Sequence, residues 1–205
     1  MINSFDKMSL PLFYEVKEIL DADLDMLDLE VNLIALLSNK TQDEVLNMDL
    51  DKFSSMTKQL NFLSEGITPK TPEMKYRIDG MTLKVQINPD DMTVAQYVDY
   101  NTYMQMEDGL ERTLGLLSVF LIPKGKKYGE YDINEVKVRL RKMTIVDVTD
   151  LSAFFLEWFK ELTKATHIYL TKKMEKMAKK EKNPTIKKQM MEAVENLQRS
   201  GAMLP

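Results

Sequence analysis

Apolar positions at helical spacing, each run opened by a capping residue, predict a chain that is helical over most of its length. The runs predict helices near 10–21, 24–38, 42–47, 50–63, 94–106, 109–122, 133–141, 145–180 and 184–200. Ser9 with Pro11 just inside it, Thr41 with Glu44, Thr93 with Gln96 and Asp132 with Glu135 have the composition of capped N-termini. In the last three, the acidic or amide residue stands three positions after the cap, where it can reach back to the cap's own N–H. Asn183-Pro184 marks a further start and Gly201 a stop.

A different period governs the middle of the chain. Ile67-Thr68-Pro69-Lys70-Thr71-Pro72 cannot continue a helix. Beyond it, Lys75-Tyr76-Arg77-Ile78 and Met81-Thr82-Leu83-Lys84-Val85-Gln86-Ile87 alternate about Asp79-Gly80, the strongest short-range hairpin signal. Tyr76 and Ile78 share a face with Leu83, Val85 and Ile87 only if the register places them so. An isolated hairpin is marginal in water, so it must lie on helices or pair with another chain's strand. Short edge strands are usually covered, which favours packing on the chain's own helices.

The two helical groups read as a duplication. Met8-Ser9-Leu10-Pro11-Leu12-Phe13-Tyr14-Glu15-Val16 opens one copy, and Met92-Thr93-Val94-Ala95-Gln96-Tyr97-Val98-Asp99-Tyr100 the other. Each leads into an apolar run (31–37 and 114–122) and then an acidic helix start (41–45 and 132–136). Each closes with a Met followed by an apolar helical stretch, 48–63 and 143–159. Two long copies imply paired helical units, not a solenoid, which needs more and shorter repeats. The expected fold is mainly α, two duplicated helical units with a small β-hairpin between them and a long basic C-terminal helix. The corresponding segments are repeat 1 at 1–66, linker and hairpin at 67–91, repeat 2 at 92–170 and a basic helical arm at 171–205.

Composition narrows the function. With 205 residues and 44% apolar content, the chain can bury a core without staples. It has no Cys, so disulfides, thiolate zinc sites and cysteine nucleophiles are excluded. Residues 1–6 lack the basic and apolar regions of a signal peptide, and the apolar run 114–122 is far short of a membrane span, so a soluble protein is expected. Charge is polarised: residues 1–60 hold 12 Asp/Glu against 5 Lys/Arg, and residues 160–205 hold 11 Lys/Arg against 5 Asp/Glu. Charge runs are more often solvated faces than contacts, yet such polarity can also steer one end toward an oppositely charged partner.

Candidate chemistry is thin. His167 has no Cys and no second His to pair with, so a boundary position is the simpler reading. Asp21, Asp23 and Asp25 alternate like the first ligands of a calcium loop, but Met26 and Asn32 stand where that loop needs Gly and Glu. With Asp28 and Glu30 they form a solvated turn. Lys124-Gly125-Lys126-Lys127 lacks the upstream Gly of a phosphate loop and is expected to follow a helix, not a strand. It reads as an exposed loop, replacing the short turn 38–40 of the first copy. Lys124, Lys126 and Lys127 could meet an acidic partner or a nucleic-acid backbone, with Tyr128 and Tyr131 free to stack. The arm offers Lys172, Lys173 and Lys176, then an apolar stripe of Met190, Met191, Val194 and Leu197 that can fold back or dock in another subunit. The chain has 16 Met residues, and these flexible side chains suit irregular cores and adaptable interfaces alike. No catalytic, cofactor or metal residue is expected.

Three segments together resemble a family of small proteins from the structural-gene blocks of tailed bacteriophages infecting Bacteroidota, crAss-like phages included. They are Met92-Thr93-Val94-Ala95-Gln96-Tyr97-Val98-Asp99, Leu121-Ile122-Pro123-Lys124-Gly125-Lys126-Lys127-Tyr128 and Ala153-Phe154-Phe155-Leu156. The resemblance covers residues 8 to about 170. It implies a virion or morphogenesis role, such as a tail assembly chaperone, connector or minor particle component. The expected partners are other phage structural proteins or a second copy of the chain, in the virion or in the host cytoplasm during assembly. These motifs mark architecture, so they assign no residue a role. The alternative is a nucleic-acid-associated protein using the basic arm, although a pI near 5.2 confines the basic footprint to that arm.

Overall fold

The computed structural model describes residues 1–86, 88, 92–180 and 183–201, without the side chains of 160–170 and 196–201. After a 3-10 turn at Phe5–Lys7 come α1 (Leu10–Asp21), α2 (Met26–Ser38), α3 (Gln42–Leu46) and α4 (Leu50–Gln59), which tightens into a 3-10 turn at Leu60–Ser64. The hairpin strands β1 (Lys75–Ile78) and β2 (Met81–Val85) follow. Then come α5 (Val94–Met104), α6 (Gly109–Phe120), β3 (Leu121–Pro123), α7 (Ile133–Leu140), α8 (Ile145–Lys180) and α9 (Pro184–Gly201). The protein is mainly helical with one small antiparallel sheet. Its chain divides into two compact units, Met1–Leu151 and Ser152–Pro205, the boundary falling inside α8.

Local chemistry accounts for most helix starts. Thr41 Oγ1 accepts the Glu44 N–H at 3.1 Å while the Glu44 carboxylate accepts the Thr41 N–H at 2.8 Å. Thr93 and Gln96 form the same reciprocal pair. Asp25 and Asp108 cap α2 and α6, each accepting from the N–H three residues on. Asp132 behaves differently from expectation: it caps α7 through Asn134, and Glu135 pairs instead with Arg139 one turn along, at 3.0 Å. Ser9 makes no side-chain cap either. Its backbone joins a bridge to Thr144, where the Leu10 N–H meets Met143 O and the Ile145 N–H meets Met8 O.

The helix order recurs along the first unit. Residues 22–25 link α1 to α2, and the equally short 105–108 link α5 to α6. A short third helix follows in each set, α3 and α7, before α4 and α8.

The hairpin register pairs Tyr76 with Leu83 and Ile78 with Met81, which puts both apolar residues of β1 on the face of Leu83 and Val85. Asp79 and Gly80 both have positive φ, +46° and +78°, as a two-residue type I′ turn requires. Ile87, expected on that face too, lies outside the described residues. The apolar face, with Tyr76, Leu83 and Val85, is buried in the chain's own core, and the edge of β2 gains a cover that the sequence does not announce. The chain itself supplies a third strand: β3 pairs with β2, Leu83 opposite Pro123 and Val85 opposite Leu121. The stretch expected to continue the sixth helix to residue 122 therefore leaves helix at Phe120. Leu121 is fully buried and its segment gains ladder bonds to β2, which outweigh two more residues of helix.

The first unit's core gathers Met8, Leu10, Ile34, Leu83, Leu114, Val119, Leu121, Leu140 and Leu151, all essentially buried. Burying each large side chain contributes about 1.5–3 kcal/mol. Close approaches shape it. Tyr14 on α1 donates its hydroxyl to Gly109 O at 2.8 Å, at the start of α6. On α6, Gly115 leaves room for the Tyr103 ring of α5, where an added Cβ would come within 2.1 Å. Gln96 is buried and fully engaged: its Nε2 donates to Gln86 Oε1 at 2.6 Å and to Val119 O at 3.0 Å, tying α5 to the residue that follows β2 and to α6. The Asp150 carboxylate accepts the Lys70 N–H at 2.7 Å, so the proline-bearing linker is fastened to α8.

Candidate functional site

The 123–132 loop is the candidate surface of the first unit. Lys124 leaves β3 with its N–H on Thr82 O, and the turn closes from the Lys126 N–H to Pro123 O. Gly125 and Gly129 take φ of +82° and +85°, which a side chain adopts only with strain. Between them, the Lys127 N–H is accepted by Glu130 Oε2 at 2.8 Å. Lys124, Lys126 and Lys127 are all exposed. A strand, not the expected helix, precedes Lys124. The missing upstream Gly still separates this loop from a phosphate loop, and α7 begins only at Ile133, too late to aim its N-terminus at the loop.

The two loop tyrosines turn inward. Tyr128 donates its hydroxyl to Asp99 Oδ2 on α5 at 2.5 Å, and its ring stands edge-on to Tyr131 with centroids 6.1 Å apart. A cleft of about 300 Å³ opens beside them, lined by Asp99, Tyr128, Gly129, Tyr131, Asp132 and Ile133. Burial, then the bond to Asp99, raises the Tyr128 phenol far above its ordinary value. Burial alone pushes Tyr131 up to about 12. Tyr76 also rises to about 12, through burial and then the nearby Asp147 and Asp150 charges. At neutral pH all three phenols keep their proton, and Tyr128 gives its own to Asp99 as a hydrogen bond. With their rings packed on each other, Tyr128 and Tyr131 are not the free stacking platform expected of them.

A second cleft, about 390 Å³, lies where α1 meets the start of α6, between Glu15, Glu18, Asp108 and Arg141. Arg141 pairs with Glu111, which also holds Lys137 at 2.8 Å. Glu44, on the surface, has its carboxyl held below the ordinary range by the Thr41 N–H and then by Lys40. Among the described residues, no group of three or more His, Cys or acidic side chains is placed to hold a metal. The Asp21–Asp28 turn instead uses Asp25 as a helix cap. No helix among them is long and apolar enough to cross a membrane. The His167 side chain lies outside the described residues.

The remaining candidates sit in the second unit. Lys172, Lys173 and Lys176 are exposed near the end of α8, beside a half-exposed Met177. On α9, Met190 is half-buried and Met191 exposed, whereas Val194 is only 2% exposed. Val194 is thus already covered within the folded chain and offers no docking surface, as is Ala178 on α8. The Leu197 side chain lies outside the described residues. Asn183 caps α9 through the Thr185 N–H at 3.0 Å. One exposed feature was missed by the sequence reading: Leu20, Leu24, Met26 and Leu27, set among the aspartates between α1 and α2. Its signal was present, since these apolar side chains stand in the turn that the carboxylates mark as solvated.

The fold so far defines a helical protein with a minor sheet and two charged, partly apolar surfaces. No protein-family model matches the chain, and no curated protein or solved structure proved similar to it.

Proposed function

We propose that this chain is a non-enzymatic structural or assembly component of a tailed bacteriophage particle, acting through protein–protein contacts in the virion or in the host cytoplasm. The observation that carries this reading is the second unit's surface, with Lys172, Lys173 and Lys176 exposed alongside Met177 and Met191. Lysines around flexible thioethers suit an adaptable contact with an acidic protein face. The exposed Lys124, Lys126 and Lys127 offer a second, smaller contact. The recurring helix order supports reading residues 1–66 and 92–170 as two copies of one helical unit, and the resemblance of 92–99, 121–128 and 153–156 supports a phage structural role.

The test compares purified particles with infected-cell lysate by mass spectrometry. A structural component is found in the particles, an assembly factor only in lysate complexes with particle proteins. Reversing Lys172, Lys173 and Lys176 to Glu should abolish both associations, and normal incorporation of that variant would sink the reading. The exposed lysines at 172, 173, 176, 179 and 180 also favour a second reading, nucleic-acid binding by the arm. That reading requires affinity falling steeply with salt, and no binding at low salt removes it.

A further inference from the structure

The α1–α2 turn is unusual for a helix connection. All of residues 21–28 are exposed, and among them Met26 is 74%, Leu27 56% and Leu24 40% accessible, with Leu20 beside them at 45%. Four carboxylates, Asp21, Asp23, Asp25 and Asp28, surround these apolar side chains. An apolar patch rimmed by one sign of charge marks a contact for a surface of the opposite sign.

This chain carries the complementary surface itself. Residues 1–151 hold 26 Asp/Glu against 17 Lys/Arg, a balance of −9, while residues 152–205 hold 6 against 11, a balance of +5. The basic unit presents Lys172, Lys176, Lys179, Lys180, Lys187 and Lys188 to solvent. Met177, Ile186 and Met191 are exposed among them. We propose that the acidic, apolar α1–α2 turn of one copy docks the basic C-terminal unit of a second copy, head to tail.

Two different patches meeting in this way form a heterologous contact, which closes into rings or propagates as chains. The acidic rim repels phosphates, so nucleic acids and anionic membranes are poor occupants of the turn. The contact rests on the assembly role proposed above and specifies one of its partners as the chain itself.

Sedimentation velocity of the full chain over a concentration series tests it. Association should weaken markedly as salt rises from about 0.01 M to about 1 M, where the screening length falls from about 30 Å to about 3 Å. Asp21→Lys with Asp23→Lys should weaken association by about tenfold or more, as should Lys176→Glu with Lys180→Glu. Asp21 ends α1, where a cation suits the helix dipole, so the first variant keeps its fold. Met26→Ser with Leu27→Ser should weaken it without changing its salt dependence. A chain monomeric at every concentration and salt overturns the proposal, as do reversals that leave association unchanged. A strictly monomeric chain still found in purified particles overturns this contact and leaves the assembly role standing. A self-associating chain absent from particles and their precursors does the reverse.

Discussion

Substituting Gly115 by Ala tests how α5 and α6 are packed. In an open helix interior this change is favourable by about 0.5–1 kcal/mol, because Ala loses less backbone freedom on folding. Here the new Cβ would lie 2.1 Å from Tyr103 Cδ1 and 2.4 Å from Cγ. Rotation about χ2 cannot relieve contact with Cγ, since that atom is fixed by the side chain's own Cβ. The ring is also engaged by the Lys137 ammonium, 5.3 Å from its centroid. Overpacking of this kind costs about 1–3 kcal/mol and exceeds the helix gain. Gly115→Ala should therefore destabilise the protein by about 1 kcal/mol, the difference between the middles of those two ranges. In a Tyr103→Ala background the obstacle is gone, and the same change should stabilise by about 0.5–1 kcal/mol. Urea denaturation followed by far-UV circular dichroism on the four proteins of the cycle reads this reversal of sign. If Gly115→Ala stabilises in both backgrounds, the close approach of α5 and α6 is wrong.

Three further outcomes follow from the buried polar groups. Gln96→Leu removes half of the capping box and leaves Val119 O without its donor, so it should cost about 2–4 kcal/mol; Gln96→Glu, which buries a carboxylate against the Val119 carbonyl, should cost at least as much in the same denaturation assay. Tyr131 has a buried hydroxyl with no protein partner among the described residues. Tyr131→Phe should thus be neutral or stabilising by up to about 1 kcal/mol, and a larger loss would mean the hydroxyl is bonded. Tyr76 and Tyr131 have their ordinary value of 10 raised to about 12. The folded state therefore favours the neutral phenols: their contribution is complete below pH 10 and is lost as pH climbs toward 12. Tyrosinate absorbance of the folded chain should lag that of the urea-unfolded chain across this window, and replacing both with Phe should shrink the lag.

Features decided within a few residues were legible in the sequence. The capping pairs at Thr41 and Thr93 form as their spacing implies, because donor and acceptor are three residues apart and need nothing else. Asp79-Gly80 makes its turn for the same reason. The Asp132–Glu135 box fails because Glu135 has a competing cation one turn away, a choice the spacing leaves open. Of the candidate surface, the exposed lysines of the loop and the arm were readable, whereas the inward turn of Tyr128 depends on Asp99, 29 residues earlier in the chain.

By itself, then, the sequence determined a mainly helical chain, most helix bounds, the hairpin and the opposed charges of its two ends, since each is set by local hydrogen bonding or by composition. Tertiary structure alone decided that residues 121–123 leave helix to become a strand, that Val194 is covered while Met26 and Leu27 stay bare, and that the loop tyrosines pack on each other. Those outcomes turn on which distant surface reaches a residue first. An apolar side chain carries no local sign of whether a partner strand, a neighbouring helix or water will meet it.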